Sequence, residues 1–274
     1  MRIDSHQHFW YYNPEREGWI TDQMSRIRKD FLPQDLKLVL EKNSMDGCIL
    51  VQADDSEEET VRLLDFAADA PFVKAVVGWV DLTGDDCRER LEYYTRNEIF
   101  KGIRHTLQGV PEAVVLQDSF QRGIQLLSEF GLTYDLLIFQ DQLPVATKLV
   151  KNHPHQAFVL DHMAKVQITS KVNPGWEAGI KELAKQENIF CKLSGFLVET
   201  EGLKWEPKSF DPFFEVVWNA FGEDRLMYGS DWPVCLAAGS YEDTVKLVES
   251  FFARKGSRAL EKIMGKNAQR FYNL

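Results

Sequence analysis

The sequence predicts a single α/β domain, a distorted (β/α)₈ barrel that spans residues 1–274. Three observations lead to this prediction: short apolar runs alternate with longer stretches of helical periodicity, there are eight such runs, and no linker-like segment separates them. The runs are apolar enough to be covered on both faces, as in parallel sheets, and eight units favour closure into a barrel. The length of 274 residues is close to the roughly 250 residues of one such barrel.

The elements follow one another in a regular order along the chain. The eight predicted strands begin near Arg2, Gly47, Lys74, Lys101, Leu132, Ala157, Ile189 and Arg225. Between them, a capping-box pattern at Ser56 and Glu59 predicts a helix start, and two apolar stripes have helical spacing: Phe120, Ile124 and Leu127, and Trp176, Ile180 and Leu183. These stripes are explained by core packing alone.

Two long irregular segments follow predicted strands, where barrel loops form the catalytic rim. The first, Phe9 to Leu32, is rich in aromatic residues. The second, Phe196 to Phe210, follows the seventh strand and carries Trp205.

Composition restricts the partners and the compartment. Acidic residues outnumber basic ones by 42 to 32, and the net charge of −10 argues against nucleic acid and anionic membrane surfaces as partners. The sequence has neither a signal-peptide pattern nor an apolar run that approaches the roughly 18 residues of a membrane span. The four cysteines have no C-x-x-C spacing, so we expect reduced thiols and a cytoplasmic protein. Monomer and homodimer both stay open.

The strongest candidate site lies at the carboxyl ends of the first, sixth and eighth strands, where barrel enzymes carry their reactive groups. His6 and His8 are two residues apart on an extended chain, so both imidazoles face the same side. Asp231 ends the eighth strand, which closes against the first. We therefore expect His6, His8 and Asp231 to form a divalent-metal or water-activating site. Asp161 and His162 end the sixth strand, and one of them must point inward.

Other polar residues at strand ends are candidates for substrate contacts. Arg104 or His105 should face the barrel mouth, and an arginine there could hold a carbonyl, hydroxyl or carboxylate. Lys192 and Ser194 share a face of the seventh strand, and either could point inward. The predicted substrate-binding residues are Gln52, Arg104, His105, Lys192 and Trp232.

The motifs DSHQHFW, GIRH, LDH, CKLSG and YGSDWPV resemble the amidohydrolase superfamily, in particular its amidohydrolase-2 branch of lactonases, over essentially the whole chain. The resemblance implies a distorted TIM barrel with His6, His8, His162 and Asp231 at the positions that the branch uses. It also implies hydrolysis of lactones, such as the sugar lactones of fucose and rhamnose catabolism or a pyrone dicarboxylate.

One departure from the wider superfamily concerns the metal. Metal-rich members carry a further histidine that ends strand five, whereas strand five here reads LTYDLLI. His6, His8 and Asp231 could still hold one ion such as Zn²⁺, and lactonases of this branch can also act without metal. Both possibilities stay open at this stage.

The expected reaction is the opening of a sugar lactone, such as L-fucono- or L-rhamnono-lactone, to the aldonic acid. Asp231 is the expected general base, His162 a neighbouring donor, and Arg104 positions the ring or its carbonyl. Aromatic residues of the first loop favour a neutral sugar ring over a dicarboxylate, although they could simply close the edge of the barrel. The alternatives are a metal-dependent decarboxylase of the same superfamily and a non-catalytic sugar-acid-binding barrel.

Overall fold

Eight parallel strands and the helices between them form a nearly closed barrel, as the sequence predicts. The structure is a computed structural model, and it describes residues 1–200 and 204–274. The strands follow one another in the sheet in chain order, and each pairs in parallel with the next. Their bounds are β1 Ile3–Gln7, β2 Gly47–Val51, β3 Val73–Gly78, β4 Phe100–Ile103, β5 Thr133–Leu136, β6 Phe158–Leu160, β7 Ile189–Leu193 and β8 Leu226–Tyr228.

Helices cover the outside of the barrel and follow β8 at the end of the chain. Their bounds are α1 Pro33–Lys42, α2 Glu57–Ala68, α3 Cys87–Tyr94, α4 Glu112–Val115, α5 Asp118–Glu129, α6 Leu143–Asn152, α7 Pro174–Leu183, α8 Asp211–Phe221, α9 Tyr241–Phe252, α10 Ser257–Glu261 and α11 Asn267–Phe271.

Local sequence signals explain where these helices begin and which face they bury. The side chain of Ser56 accepts a hydrogen bond from the backbone N–H of Glu59 at 3.2 Å, which caps α2 as predicted. The two predicted apolar stripes are buried on α5 and α7. Such stripes stabilise a helix mainly through its packing on the sheet.

The core has two layers, one inside the barrel and one between strands and helices. The inner layer contains side chains from the strands and from the end of the chain: Ile3, Ile49, Val51, Ala75, Val77, Val159, Met227, Ala268, Phe271 and Tyr272. The last helix thus contributes directly to the barrel interior, and Tyr272 is 1% exposed.

The join between β1 and the segment after β8 differs from the regular pairing elsewhere. Among the described residues, it consists of one isolated bridge, Gln7 to Trp232, and of hydrogen bonds around it. The backbone N–H of His8 donates to the carbonyl of Trp232 at 2.8 Å, and that of Asp231 donates to the carbonyl of His6 at 2.9 Å. This irregular closure is the distortion of the barrel, and it lies beside the candidate site.

A buried carboxylate, Asp4, holds this join together. Asp4 accepts hydrogen bonds from the Ser230 backbone N–H at 2.8 Å, the Ser230 hydroxyl at 2.6 Å and the Tyr241 hydroxyl at 3.0 Å. It thereby links β1 to the loop after β8 and to α9. Burial raises the pKa of the Asp4 carboxyl to about 6, although these hydrogen bonds act in the opposite direction.

Further sequence expectations can be compared with the structure. All four cysteines are free and buried. In the described residues, no helix is long and apolar enough to cross a membrane. In the second irregular segment, Trp205 donates to the carbonyl of Ala238 at 3.3 Å, whereas residues 201–203 lie outside the described part of the chain.

We predict that Asp4→Asn lowers the free energy of unfolding by about 1–3 kcal/mol, because the amide replaces one carboxyl oxygen, a buried acceptor for Ser230 and Tyr241, with an NH₂ group that only donates. The loss should be largest near pH 4 and should shrink as the pH rises to about 7. The folded wild type, with its pKa of about 6 against 3.8 for an ordinary aspartate, gives up stability over this range as Asp4 ionises. Denaturant unfolding at several pH values measures the difference. Asp46→Asn, at an exposed carboxyl, serves as the control, and an Asp4→Asn deficit that grew with pH would contradict the prediction.

Candidate functional site

His6, His8 and Asp231 come together at the carboxyl end of the barrel, as the sequence predicts. His6 Nε2 lies 3.2 Å from His8 Nε2, and Asp231 Oδ1 lies 3.4 Å from His8 Nε2 and 3.8 Å from His6 Nε2. The two-residue spacing on β1 puts both imidazoles on one side, and the join with the segment after β8 brings Asp231 to them. Asp231 has a positive φ of 57°, which a non-glycine residue adopts only when the surrounding structure imposes it.

His162 enters the site through a left-handed turn after β6. Four consecutive residues, 162–165, have φ between 49° and 61°, a conformation that costs roughly 1–2 kcal/mol per residue. The indole N–H of Trp176 holds this turn by donating to the carbonyl of Met163 at 2.8 Å, and Lys165 pairs with Glu199 at 3.4 Å. Because residues i and i+3 of a turn share a face, His162 and Lys165 both line the cavity.

Neighbouring groups fix the ring of His162. Its Nδ1 lies 2.8 Å from the Ser194 hydroxyl. On the other side, a Cβ on Gly195 would come within 2.7 Å of the imidazole, and Gly195 has a φ of +68°. Glycine is therefore required at this position both by the backbone conformation and by the close approach of the ring.

The sequence argument left open whether Asp161 or His162 points inward, and both do. The left-handed turn rotates His162 toward the mouth, while Asp161 points into the barrel below it. Asp161 Oδ2 accepts from Arg104 Nη1 at 3.3 Å, and its Oδ1 lies 3.4 Å from His6 Nδ1. The assumption of a regular strand end hid Asp161 as a member of the site.

Arg104, rather than His105, faces the barrel mouth. Gln52 holds its guanidinium through the side-chain oxygen, at 3.2 Å from Nε and 3.0 Å from Nη2, and through the backbone carbonyl. Arg104 Nη1 also lies 3.3 Å from His6 Nε2. The arginine is thus positioned by fixed acceptors before any ligand arrives.

Burial sets the charge of the imidazoles and the carboxylate. It lowers the pKa of His6 and His8 below the ordinary value and that of His162 to about 4. For Asp231, burial alone would raise the pKa, but His162, the hydrogen bond to His8 and His6 together lower it well below its ordinary value. At neutral pH the site therefore presents three neutral imidazoles beside an ionised carboxylate.

The site opens into a small cavity of about 200 Å³. Ligand pockets of drug-sized molecules measure roughly 300–1,000 Å³, so this one suits a small molecule such as a single sugar ring. It is lined by His8, Trp19, Ala53, Arg104, Thr106, Gln108, Leu137, His162, Lys165, Asp231 and Val234. A larger groove of about 520 Å³ lies between the first loop, α1 and α2, away from these histidines.

Four of the five predicted substrate-binding residues do not line this cavity. His105 packs its ring against Trp79 and Phe120, with centroid distances of 5.6 and 5.5 Å. Trp232 is 3% exposed. Gln52 holds Arg104, and Lys192 lies deeper in the barrel with no exposed side-chain surface. Of the five, Arg104 alone lines the cavity.

The aromatic residues of the first loop divide in the same way. Phe9 and Trp10 are each 1% exposed and belong to the core. Trp19 lines the cavity and is 41% exposed. Phe9 and Trp10 therefore close the edge of the barrel, whereas Trp19 lines the cavity.

Comparison with known proteins agrees with this architecture. Residues 3–274 match the family described as amidohydrolase. This chain is a member of the amidohydrolase family. It is 35% and 33% identical to the L-fucono-1,5-lactonases of Burkholderia multivorans and Burkholderia ambifaria, with 100% of this chain and 96% of each relative covered. A crystal structure of an amidohydrolase from Burkholderia multivorans with bound zinc superposes with a TM-score of 0.96 at 34% identity, covering 100% of this chain and 99% of that one.

The donor atoms of this amidohydrolase fit a divalent ion. Zinc–ligand distances near 2.0–2.1 Å place neighbouring ligands of a tetrahedral ion about 3.4 Å apart, and the three separations here are 3.2, 3.4 and 3.8 Å. Two neutral imidazoles and one carboxylate form a ligand set that zinc accepts. His6 must then carry its proton on Nδ1, where Asp161 Oδ1 at 3.4 Å is the available acceptor.

We predict that the protein binds one Zn²⁺ per chain and that His8→Ala weakens this binding more than about 100-fold. A lost ligand should cost at least as much as the roughly 10–100-fold lost with an outer-shell partner. Competition with a chromogenic chelator measures the dissociation constant. His153→Ala is the control, because His153 pairs with Gln121 before β6, at the other end of the barrel. Equal affinities of the two variants would place the metal elsewhere.

Proposed function

We propose that this amidohydrolase is a lactonase that opens a sugar-derived lactone, an aldonolactone such as L-fucono-lactone, to the aldonic acid. The observation that carries the proposal is the ionised Asp231 beside neutral imidazoles, at the wall of a cavity that admits one sugar ring. The L-fucono-1,5-lactonases that are 35% and 33% identical over the whole chain support the same reaction.

The reaction follows from the groups that line the cavity. Asp231 accepts a proton from water as the water oxygen attacks the lactone carbonyl carbon. The N–H donors of His162, Arg104 and Lys165 are positioned for the negative charge that develops on the carbonyl oxygen. The ring C–O bond then breaks, the proton held by Asp231 passes to the leaving alkoxide, and the product is a hydroxy acid.

The proposal includes a divalent metal ion, with His6, His8 and Asp231 as its ligands. When bound there, a divalent ion such as Zn²⁺ would supply Lewis-acid polarisation of the carbonyl. Asp231, His162 and Arg104 perform the proton transfer and the orientation described above whether or not the ion is present.

The charges at the cavity favour a neutral substrate. Lys165 is paired with Glu199, and Arg104 with Asp161, so neither cation is left over for a second carboxylate on the ligand. Trp19 offers an aromatic face, which suits a sugar ring. An uncharged aldonolactone fits these groups better than a dicarboxylate.

The proposal includes a cytoplasmic location and a free small molecule as partner. Four buried, unpaired cysteines suit a reducing compartment. The net charge of −10 disfavours nucleic acid and favours release of an anionic product.

The direct test is incubation of the purified protein with a panel of L- and D-aldono-1,4- and 1,5-lactones in weak buffer with a pH indicator. We expect acid release above the spontaneous rate with one or more lactones. The panel is run with and without chelator. Proton uptake with CO₂ formation from an aromatic acid would instead indicate a decarboxylase, and binding of aldonic acids without turnover would indicate a binding protein. Either result would overturn the proposal.

We predict that Asp231→Asn lowers kcat for the preferred lactone by at least about 100-fold, because a positioned base contributes roughly 10²–10⁴-fold. Thermal unfolding of the variant should stay close to that of the wild type, since the backbone contacts of Asp231 at the join are kept. Asp141→Asn, at an exposed position in the same fold, should retain full activity. Substantial turnover by Asp231→Asn would remove Asp231 from its assigned role.

We predict that Gly195→Ala lowers kcat at least about 10-fold, because the new methyl group displaces the His162 ring. It should also cost about 1–2 kcal/mol of stability, because alanine must adopt a positive φ. Gly131→Ala is a matched control: Gly131 has a nearly equal φ of +67°, but a Cβ there meets no atom within 4 Å. Both variants should lose similar stability in denaturant unfolding, and only Gly195→Ala should lose activity. Equal activities would show that the position of His162 does not matter for turnover.

A further inference from the structure

Below His6 lies a chain of buried polar side chains that the proposed reaction does not use. We call Tyr272, Asp135 and Lys192 the axial column, because they lie inside the barrel and lead from the end of the chain to His6. Each of the three is at most 1% exposed. Burial of a charged lysine and a charged aspartate away from water costs free energy unless each is fully paired. The contacts of these residues therefore show how the barrel offsets this cost.

The contacts of the axial column form a continuous hydrogen-bond chain. The Tyr272 hydroxyl donates to Asp135 Oδ1 and Oδ2 at 3.1 and 3.0 Å. Asp135 Oδ2 in turn accepts from the Lys192 ammonium. Lys192 Nζ lies 3.1 Å from His6 Nδ1 and 3.1 Å from Asp161 Oδ1. The chain therefore ends on the ring nitrogen of His6 that faces away from His8.

This chain favours one of the two ring nitrogens of His6 as the site of its proton. An ammonium only donates, so a hydrogen bond from Lys192 to His6 Nδ1 requires the ring proton on Nε2. His8 gives the same answer independently. Its Nδ1 lies 2.7 Å from the carbonyl of Val51 and must donate to it, which leaves a lone pair on His8 Nε2. That lone pair lies 3.2 Å from His6 Nε2, and a proton on His6 Nε2 turns the contact into a hydrogen bond.

Arg104 also approaches His6 Nε2, at 3.3 Å, as a second donor. This contact is longer than the one between Lys192 and His6, and the guanidinium has other acceptors in Gln52 and Asp161. The contact of His8 Nε2 with His6 Nε2 at 3.2 Å becomes a hydrogen bond when His6 carries its proton on Nε2. The network therefore favours the proton on His6 Nε2.

Metal ligation needs the opposite arrangement. His6 Nε2 must offer a lone pair, and its proton must move to Nδ1 and point to Asp161 Oδ1 at 3.4 Å. That oxygen is fully buried; it is ion-paired with Lys192 at 3.1 Å and makes no hydrogen bond of good geometry among the described residues. His6 Nδ1 thus lies between a donor, Lys192, and an acceptor, Asp161, and these two select different states of the site.

We propose that Lys192, held by Asp135 and Tyr272, is a positioning residue that keeps the proton of His6 on Nε2, so that His6 binds His8 instead of a metal ion. Asp161 favours the other state, in which His6 ligates the metal. The balance between Lys192 and Asp161 then sets how tightly the protein holds its ion.

The test combines a charge-neutral double variant with a measurement of the tautomer. Asp135→Asn/Lys192→Met removes one negative and one positive charge, so the net charge of the buried cluster is unchanged while the donor to His6 is lost. Its matched control is Asp135→Asn alone, which retains Lys192. Tautomers are read from ¹⁵N chemical shifts of histidine-labelled, zinc-free protein, and zinc affinity from competition with a chelator.

In the wild type and in Asp135→Asn we expect the His6 proton on Nε2. In the double variant we expect it on Nδ1, together with a zinc dissociation constant about 10-fold or more lower, on the scale of outer-shell effects on metal sites. If His6 of the wild type carries its proton on Nδ1, the proposal is overturned, whether or not the variants fold. Unchanged or weaker zinc binding by a folded double variant would also overturn it. Neither measurement uses a substrate, so the outcome is independent of which ester the protein hydrolyses.

Discussion

The join between the first strand and the segment after the last one is the contact on which the site depends. Asp4 accepts hydrogen bonds from Ser230 and Tyr241, and two backbone hydrogen bonds tie His6 and His8 to Asp231 and Trp232. Asp231 reaches the histidines only across this join. The groups of the candidate site therefore assemble when the barrel closes and not before, so local loosening at the join should disturb the site before it affects the remaining seven strand pairs.

Charge balance makes the deep part of the site possible. Arg104 and Lys192 lie among Asp135, Asp161 and Asp231, and four of these five side chains pair with one another. An unpaired ion at this depth would cost several kcal/mol, which is why the pairs come as a cluster. In this dry, fixed environment the donors need not reorganise during reaction, which is the condition under which electrostatic stabilisation of a transition state is strongest.

The features of this structure that depend on regular strands and helices were predictable from sequence. The alternation of apolar runs with helical stretches predicted the eight strands, and the two-residue spacing predicted that His6 and His8 face one side. The expected closure of the barrel predicted Asp231 beside them. The parts that depend on irregular backbone were not. His162 was expected at the site from its strand end and from the resemblance, but nothing in the sequence of the left-handed turn, which contains no glycine, signals the positive φ that brings Lys165 to the cavity beside it. Depth in the barrel was equally hidden: strand parity put Lys192 and Ser194 on one face and left their direction open, and the packing around Tyr272 shows that Lys192 lies below the cavity.

Strand five departs from the pattern expected of metal-rich members of the superfamily. Its sequence, LTYDLLI, has no histidine, and it carries Asp135 within the strand. Asp135 accepts hydrogen bonds from Lys192 and Tyr272, so its oxygens are engaged within the protein, and burial raises its pKa to about 6. Strand five thus supports His6 from below, through Lys192. The face toward the cavity is left to Asp231 and its neighbours, and in the proposed reaction this face moves a proton from water.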